Sequence, residues 1–251
     1  MYASLPDLIA DLERRLRNGE HLALYGPRGS GKSTVLLELQ ARLNRAGVPC
    51  ALCESTTSLD HITRALQRAY PGVETLEVTR RTARARLWMA ADQDAGVLLL
   101  DHLSDVSNQM VSFLRRLHGR VIGALSAVDV DDVRERQAMK PWRYGAMSVR
   151  MPLTSKLRLK RLLRARCKSL RLPAPGVEVE RRLLRAARGR PGWIVQCTEL
   201  EREARYWHEQ TLFVTVLCVD TEAAVRHHAL DMVRPNSATV VLREGDALAN
   251  S

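Results

Sequence analysis

Gly26-Pro27-Arg28-Gly29-Ser30-Gly31-Lys32-Ser33-Thr34 decides how this chain is read. The stretch fits the phosphate-binding pattern G-x-x-x-x-G-K-[ST] without a mismatch. His21-Leu22-Ala23-Leu24-Tyr25 before it reads as a buried strand, and Lys32 to about Arg45 after it reads as a helix. Strand, glycine loop and helix are the context the pattern requires. Glycines at 26, 29 and 31 permit backbone angles closed to other residues and let the main chain approach a phosphate. Their N–H groups then form an anion nest at the positive end of a helix. In that geometry Lys32 reaches the β- and γ-phosphates and the Ser33 hydroxyl ligates Mg²⁺. Gly26 through Thr34 are therefore the candidate contacts of a bound ATP.

A second signature lies downstream in Val97-Leu98-Leu99-Leu100-Asp101. Four apolar residues suit a central parallel strand buried on both faces. The aspartate at its end belongs beside the loop's Ser33, where it holds Mg²⁺ through water.

Around these two stretches the pattern alternates. Leu5, Leu8, Ile9, Leu12 and Leu16 predict a helix over 5–17, with Asn18-Gly19 ending it. Val48 to Glu54 reads as a strand, and Leu59 to Tyr70 as a helix capped by Ser58. Helices are expected over 79–91, 105–117 and 131–139. A strand from Arg120 to Leu125 closes on Ser126, and Ala146 to Met151 forms the last strand. The alternation predicts an α/β fold, a parallel five-stranded P-loop NTPase sheet with helices on both faces. This α/β domain spans 1–152, with 1–19 as an N-terminal helix. From Thr154 the pattern is helical, which predicts a small all-α lid domain over 153–234. Within it Pro191 opens a helix running towards Trp207, and 211–233 reads either as strand or as helix. Residues 235–251 read as a flexible tail.

Composition bounds the function classes. The chain has 251 residues, 45% apolar and only 4% aromatic, so stacking platforms for single strands are scarce. No apolar run approaches the ~18 residues of a membrane span, and the N-terminus lacks the basic start and apolar core of a signal peptide. Cys50, Cys53, Cys167, Cys197 and Cys218 form an odd, scattered set, read as reduced thiols. A cytoplasmic protein is expected. Residues 150–190 hold fourteen basic side chains against Glu178 and Glu180, which exceeds the whole chain's net charge of +11. Those Arg and Lys side chains suit salt-sensitive, sequence-independent contact with DNA phosphates. An ordinary solvated surface is the alternative.

The order of the two motifs, a polar residue ending the next strand, and a small helical domain in tandem resemble the AAA+ ATPases over about 5–210. Compact size makes the chain similar to the origin-recognition-type ATPases and the related bacterial transposition regulators. The resemblance implies a polar sensor at Ser126, an arginine finger among Arg134, Arg136 and Arg143, and a second sensor at Arg190. It places the catalytic glutamate where this chain has His102. A neutral His102 imidazole can accept a proton, with a geometry and charge unlike a carboxylate's. Either another carboxylate serves as base, Glu54 or Asp105, or ATP is bound and hydrolysed slowly or not at all and the protein acts as a switch. The function implied is a slow ATPase that assembles as a homo-oligomer on DNA and regulates a partner enzyme. The alternative is a nucleotide switch that binds a protein partner without nucleic acid.

Overall fold

The computed structural model describes residues 4–54, 59–69, 96–101, 123–129 and 146–231. The expected helices over 79–91, 105–117 and 131–139 lie outside them, as do His102, Asp105, Arg134, Arg136, Arg143 and the tail.

Helix α1 (Leu5–Arg17) begins at Ser4, whose hydroxyl accepts from the Asp7 N–H, and buries Leu8, Ile9, Leu12 and Leu16. This is the stripe written in the sequence. Strand β1 (His21–Gly26) leads into the glycine loop, and α2 (Lys32–Arg45) leaves it. β2 (Cys50–Cys53), α3 (Leu59–Ala69), β3 (Val97–Leu100), β4 (Gly123–Asp129) and β5 (Met147–Arg150) follow. The five strands lie in one sheet in the order β2-β3-β4-β1-β5, and every pairing is parallel.

Period-two alternation sorts the strand residues onto two faces. Leu22, Leu24, Val97, Leu99, Leu125 and Val149 join one hydrophobic cluster with the buried faces of α1 and α2. Ala23, Ala51, Cys53, Leu98 and Leu100 alternate with these and are also buried. Burial on both faces is what a parallel sheet requires. Cys50 belongs to the first cluster and Cys53 does not, so the two thiols point apart.

Ser126 does not end its strand. β4 runs on to Asp129, because neighbours hold its backbone on both sides: Ser126 pairs with Leu100 and with Ala23, and Asp129 pairs with Gly26. One polar residue inside a doubly paired strand does not terminate it.

Beyond Met151 come α4 (Lys156–Leu170), α5 (Val177–Ala187), α6 (Pro191–Leu200) and α7 (Val214–Asp231). They enclose a second cluster that includes Leu159, Leu163, Leu183, Trp193, Ile194, Tyr206 and Leu217. The segment is not purely helical. α6 stops at Leu200, and Trp207–His208 pairs antiparallel with Thr211–Leu212 before α7. Glu209 supplies the turn with φ 54. The Trp207 indole donates to the Glu201 carbonyl at 2.7 Å, which folds this hairpin back onto the end of α6. The β-branched run then enters α7, where Val214, Leu217 and Thr221 are buried. Packing there overrides weak helix propensity.

Candidate functional site

The loop between β1 and α2 is a built cradle. Gly29 and Gly31 have φ 76 and 97, and the Ser30 N–H closes the turn on the Pro27 carbonyl at 3.1 Å. α2 starts at Gly31 with no side-chain cap and no acidic residue in its first turn. Its positive end is therefore left for an anion. The Lys32 ammonium donates to the Gly26 and Pro27 carbonyls at 2.9 and 3.2 Å, folded over the loop it would share with a phosphate. Ser30 Oγ is buried with no hydrogen-bond partner among the described residues. A buried hydroxyl without a partner is costly, and a phosphate oxygen satisfies it. These observations fit a nucleotide phosphate.

Asp101 is buried at the end of β3, with its N–H on the Cys53 carbonyl at 2.9 Å. Cys53 pairs with Leu100, so Glu54 and Asp101 come next to each other at the same sheet edge. Ser33 lies in the first turn of α2. A hydroxyl and a carboxylate are the oxygen donors Mg²⁺ accepts alongside phosphate oxygens and water. The described residues contain no group of three or more His, Cys, Asp or Glu placed to hold an ion by themselves. Glu54 also borders a cleft of about 670 Å³ beside β2, with Gln40, Asn44, His61, Arg64 and Arg68, and no loop residue lines it.

Arg190 is placed inside the helical segment that follows Met151. It is the N-cap residue of α6 and is buried. Nε donates to the Ala187 carbonyl, and the two terminal nitrogens bond Glu222 at 3.2 and 2.6 Å. The guanidinium holds the Glu222 carboxyl below the usual range. In that segment Gly192 meets the loop, and its N–H donates to the Gly29 carbonyl at 2.8 Å. The Arg28 guanidinium donates to the Arg226 carbonyl. Sequence reading missed both contacts. A glycine carries no chemical signature, and Arg226 takes part only through its backbone.

Glu201, at the end of α6, was also missed. It is 2% exposed, and its Oε2 finds no partner among the described residues. Burial pushes its carboxyl up to about 7. Burial likewise raises the Cys167 thiol to about 11 and keeps Cys197 protonated. All five cysteines are free thiols.

Fold and loop together define a P-loop nucleotide-binding class of α/β protein. Within that class, residues 14–128 match the family model of the AAA domain, and the likeness to AAA+ ATPases read from the motifs holds. Domain III of the Thermotoga maritima replication initiation protein DnaA is similar, with TM-score 0.50 and 13% identity over 88% of this chain and 93% of that one. Cdc6p from Pyrobaculum aerophilum gives TM-score 0.50 and 18% identity over 78% of this chain and 59% of its own. The Aeropyrum pernix ORC1 protein, solved in complex with DNA, gives TM-score 0.51 and 16% identity over 94% and 70%. At these identities the likeness is one of fold. No curated protein matches the chain by sequence. Among the described residues no helix is long and apolar enough to cross a membrane.

Proposed function

We propose that this chain is a Mg²⁺-dependent ATPase of AAA+ type, slow in turnover, that assembles with ATP on DNA and regulates or recruits a partner enzyme. The observation that carries the reading is the cradle itself: two glycines at positive φ, an uncompensated helix end, Lys32 folded over the loop, and an orphaned buried Ser30 hydroxyl. Lys32 and the loop N–H groups hold the phosphates, and Ser33 with Asp101 holds the ion. The bound nucleotide and Mg²⁺ supply the phosphoryl group and the charge that balances its transfer. In this reading His102, Glu54 or Asp105 takes the base role, Ser126 senses the γ-phosphate, and Arg143 reaches a neighbouring subunit. The division into 1–152, 153–234 and a tail over 235–251 belongs to the same reading, and two separate hydrophobic clusters support the first boundary.

Support for DNA comes from which cations are left unpaired. Lys160, Arg164, Arg166, Arg181 and Arg190 are spent in ion pairs within the lid. Arg150 on β5, Lys156, Arg158, Arg161 and Lys168 on α4, and Arg171, Arg185 and Arg188 are exposed. None of these eight forms an ion pair among the described residues. Lys156 and Arg158 stand in the first turn of α4, where the helix's own positive end disfavours cations. Local stability does not select that placement, and phosphate contact explains it. ORC1 of Aeropyrum pernix, solved with DNA, shares the fold.

A second reading, a nucleotide switch that binds a protein and no nucleic acid, is favoured by Arg190 being committed to Glu222 and by His102 in the base position. An ATPase assay with and without duplex DNA separates the two. The first reading expects turnover that DNA raises, lost in Lys32→Ala and Asp101→Ala. Comparing His102→Ala with Glu54→Gln assigns the base. ATP binding with neither turnover nor DNA affinity at low salt selects the switch.

A further inference from the structure

The lid and the phosphate loop meet with no slack. The Gly192 N–H bonds the Gly29 carbonyl at 2.8 Å. A Cβ on Gly192 would stand 2.9 Å from Gly29 Cα and 3.0 Å from its carbonyl oxygen. A Cβ on Gly29 would stand 3.2 Å from the Trp193 backbone nitrogen and 3.6 Å from Val225 Cγ1. Only a pair of glycines allows two main chains this close. α7 is tied to the same loop, because the Arg28 guanidinium donates to the Arg226 carbonyl. The cation at this end of α6, Arg190, is turned away and bonded to Glu222 on α7.

We propose that the lid senses the phosphate loop through this main-chain contact, with Gly192 as the positioning residue and the Arg190–Glu222 pair as the brace that makes α6 and α7 move together. The inference rests on reading the loop as a nucleotide site. When a phosphate enters, the loop N–H groups converge on it and Lys32 leaves the Gly26 and Pro27 carbonyls. That rearrangement turns the peptide carrying the Gly29 carbonyl, and Gly192 must follow or lose its bond. A helix moves as a unit, so the displacement at its second residue becomes rotation of α6. Close-packed contacts shift between discrete arrangements and do not stretch. The signal reaches the lid without a side-chain charge at the γ-phosphate, which distinguishes it from the arginine sensor expected from the sequence.

The test pairs calorimetric titration of a slowly hydrolysed ATP analogue with amide hydrogen exchange over 190–195. In the wild type, the analogue is expected to change exchange at Gly192 and Trp193 at least tenfold. Gly192→Ala is expected to abolish that response and shift the analogue's affinity at least fivefold, whatever the added Cβ costs the thermal midpoint. A role confined to lid packing predicts an altered midpoint with affinity and response intact. Should Gly192→Ala fail to fold, Glu222→Gln takes its place, with the exchange response expected to fall at least threefold. Wild-type affinity and wild-type response in the folded variant overturn the coupling alone. A wild type that binds no analogue overturns the nucleotide site and the coupling with it.

Discussion

Lys32 was legible in the sequence because its chemistry is local: the loop's spacing fixes where the ammonium goes, and the structure finds it on the loop's own carbonyls. Lys32→Ala is expected to lower ATP affinity at least a hundredfold while leaving the fold intact, read by calorimetry beside circular dichroism. Glu201 was illegible, since a glutamate near a helix end reads as surface until the hairpin folds over it. Its carboxyl stays protonated up to about 7, against 4.5 when exposed. An acid raised on folding contributes stability that is complete below the unfolded value and is lost as pH rises through the folded one. Glu201→Gln keeps the shape and removes the charge. It is expected to match the wild type at pH 5 and exceed it by about 2 kcal/mol at pH 8. Parallel denaturation curves at both pH values check this, and an equal difference at the two would remove the titration from the account.

Among the elements, α4 and α5 are joined by a carboxylate that the net charge of the segment conceals. Glu180 has a side chain 8% exposed and takes Lys160 at 2.7 Å and Arg164 at 2.9 Å. Lys160 first, then Arg164, holds its carboxyl below the usual range. Its contribution is therefore present at neutral pH and lost as pH falls through the depressed value. Both cations remain partly in water, so Glu180→Gln is expected to cost about 1–2 kcal/mol at pH 7 and less at pH 3, by urea denaturation. The helices themselves were readable from apolar spacing. The short hairpin between α6 and α7 was not, because two-residue strands carry too little pattern and depend on Trp207 reaching Glu201.

For the whole molecule, the cation count matters less than which cations have no ion pair among the described residues. Duplex DNA of random sequence is expected to bind more weakly as salt rises. Neutralising Lys156, Arg158, Arg161 and Lys168 to glutamine should reduce the log–log salt slope by about 3–4. Arg166→Gln should leave the slope unchanged, since Arg166 already pairs with Glu199. A slope indifferent to the first set would put the DNA contact elsewhere.

By itself the sequence determined the glycine loop, the acidic end of β3, the amphipathic helices among the described residues and the parallel alternation of the strands described. Each rests on spacing within a dozen residues or so, and chain geometry alone carries such spacing into space. Only the tertiary structure decided that β4 runs past Ser126, that Lys160, Arg164, Arg166, Arg181 and Arg190 pair with carboxylates while other cations of the helical segment face solvent, and that Gly192 bonds the phosphate loop. Those outcomes depend on which distant segments come within hydrogen-bonding reach. That depends on how the sheet and the two hydrophobic clusters pack, and no local pattern encodes it.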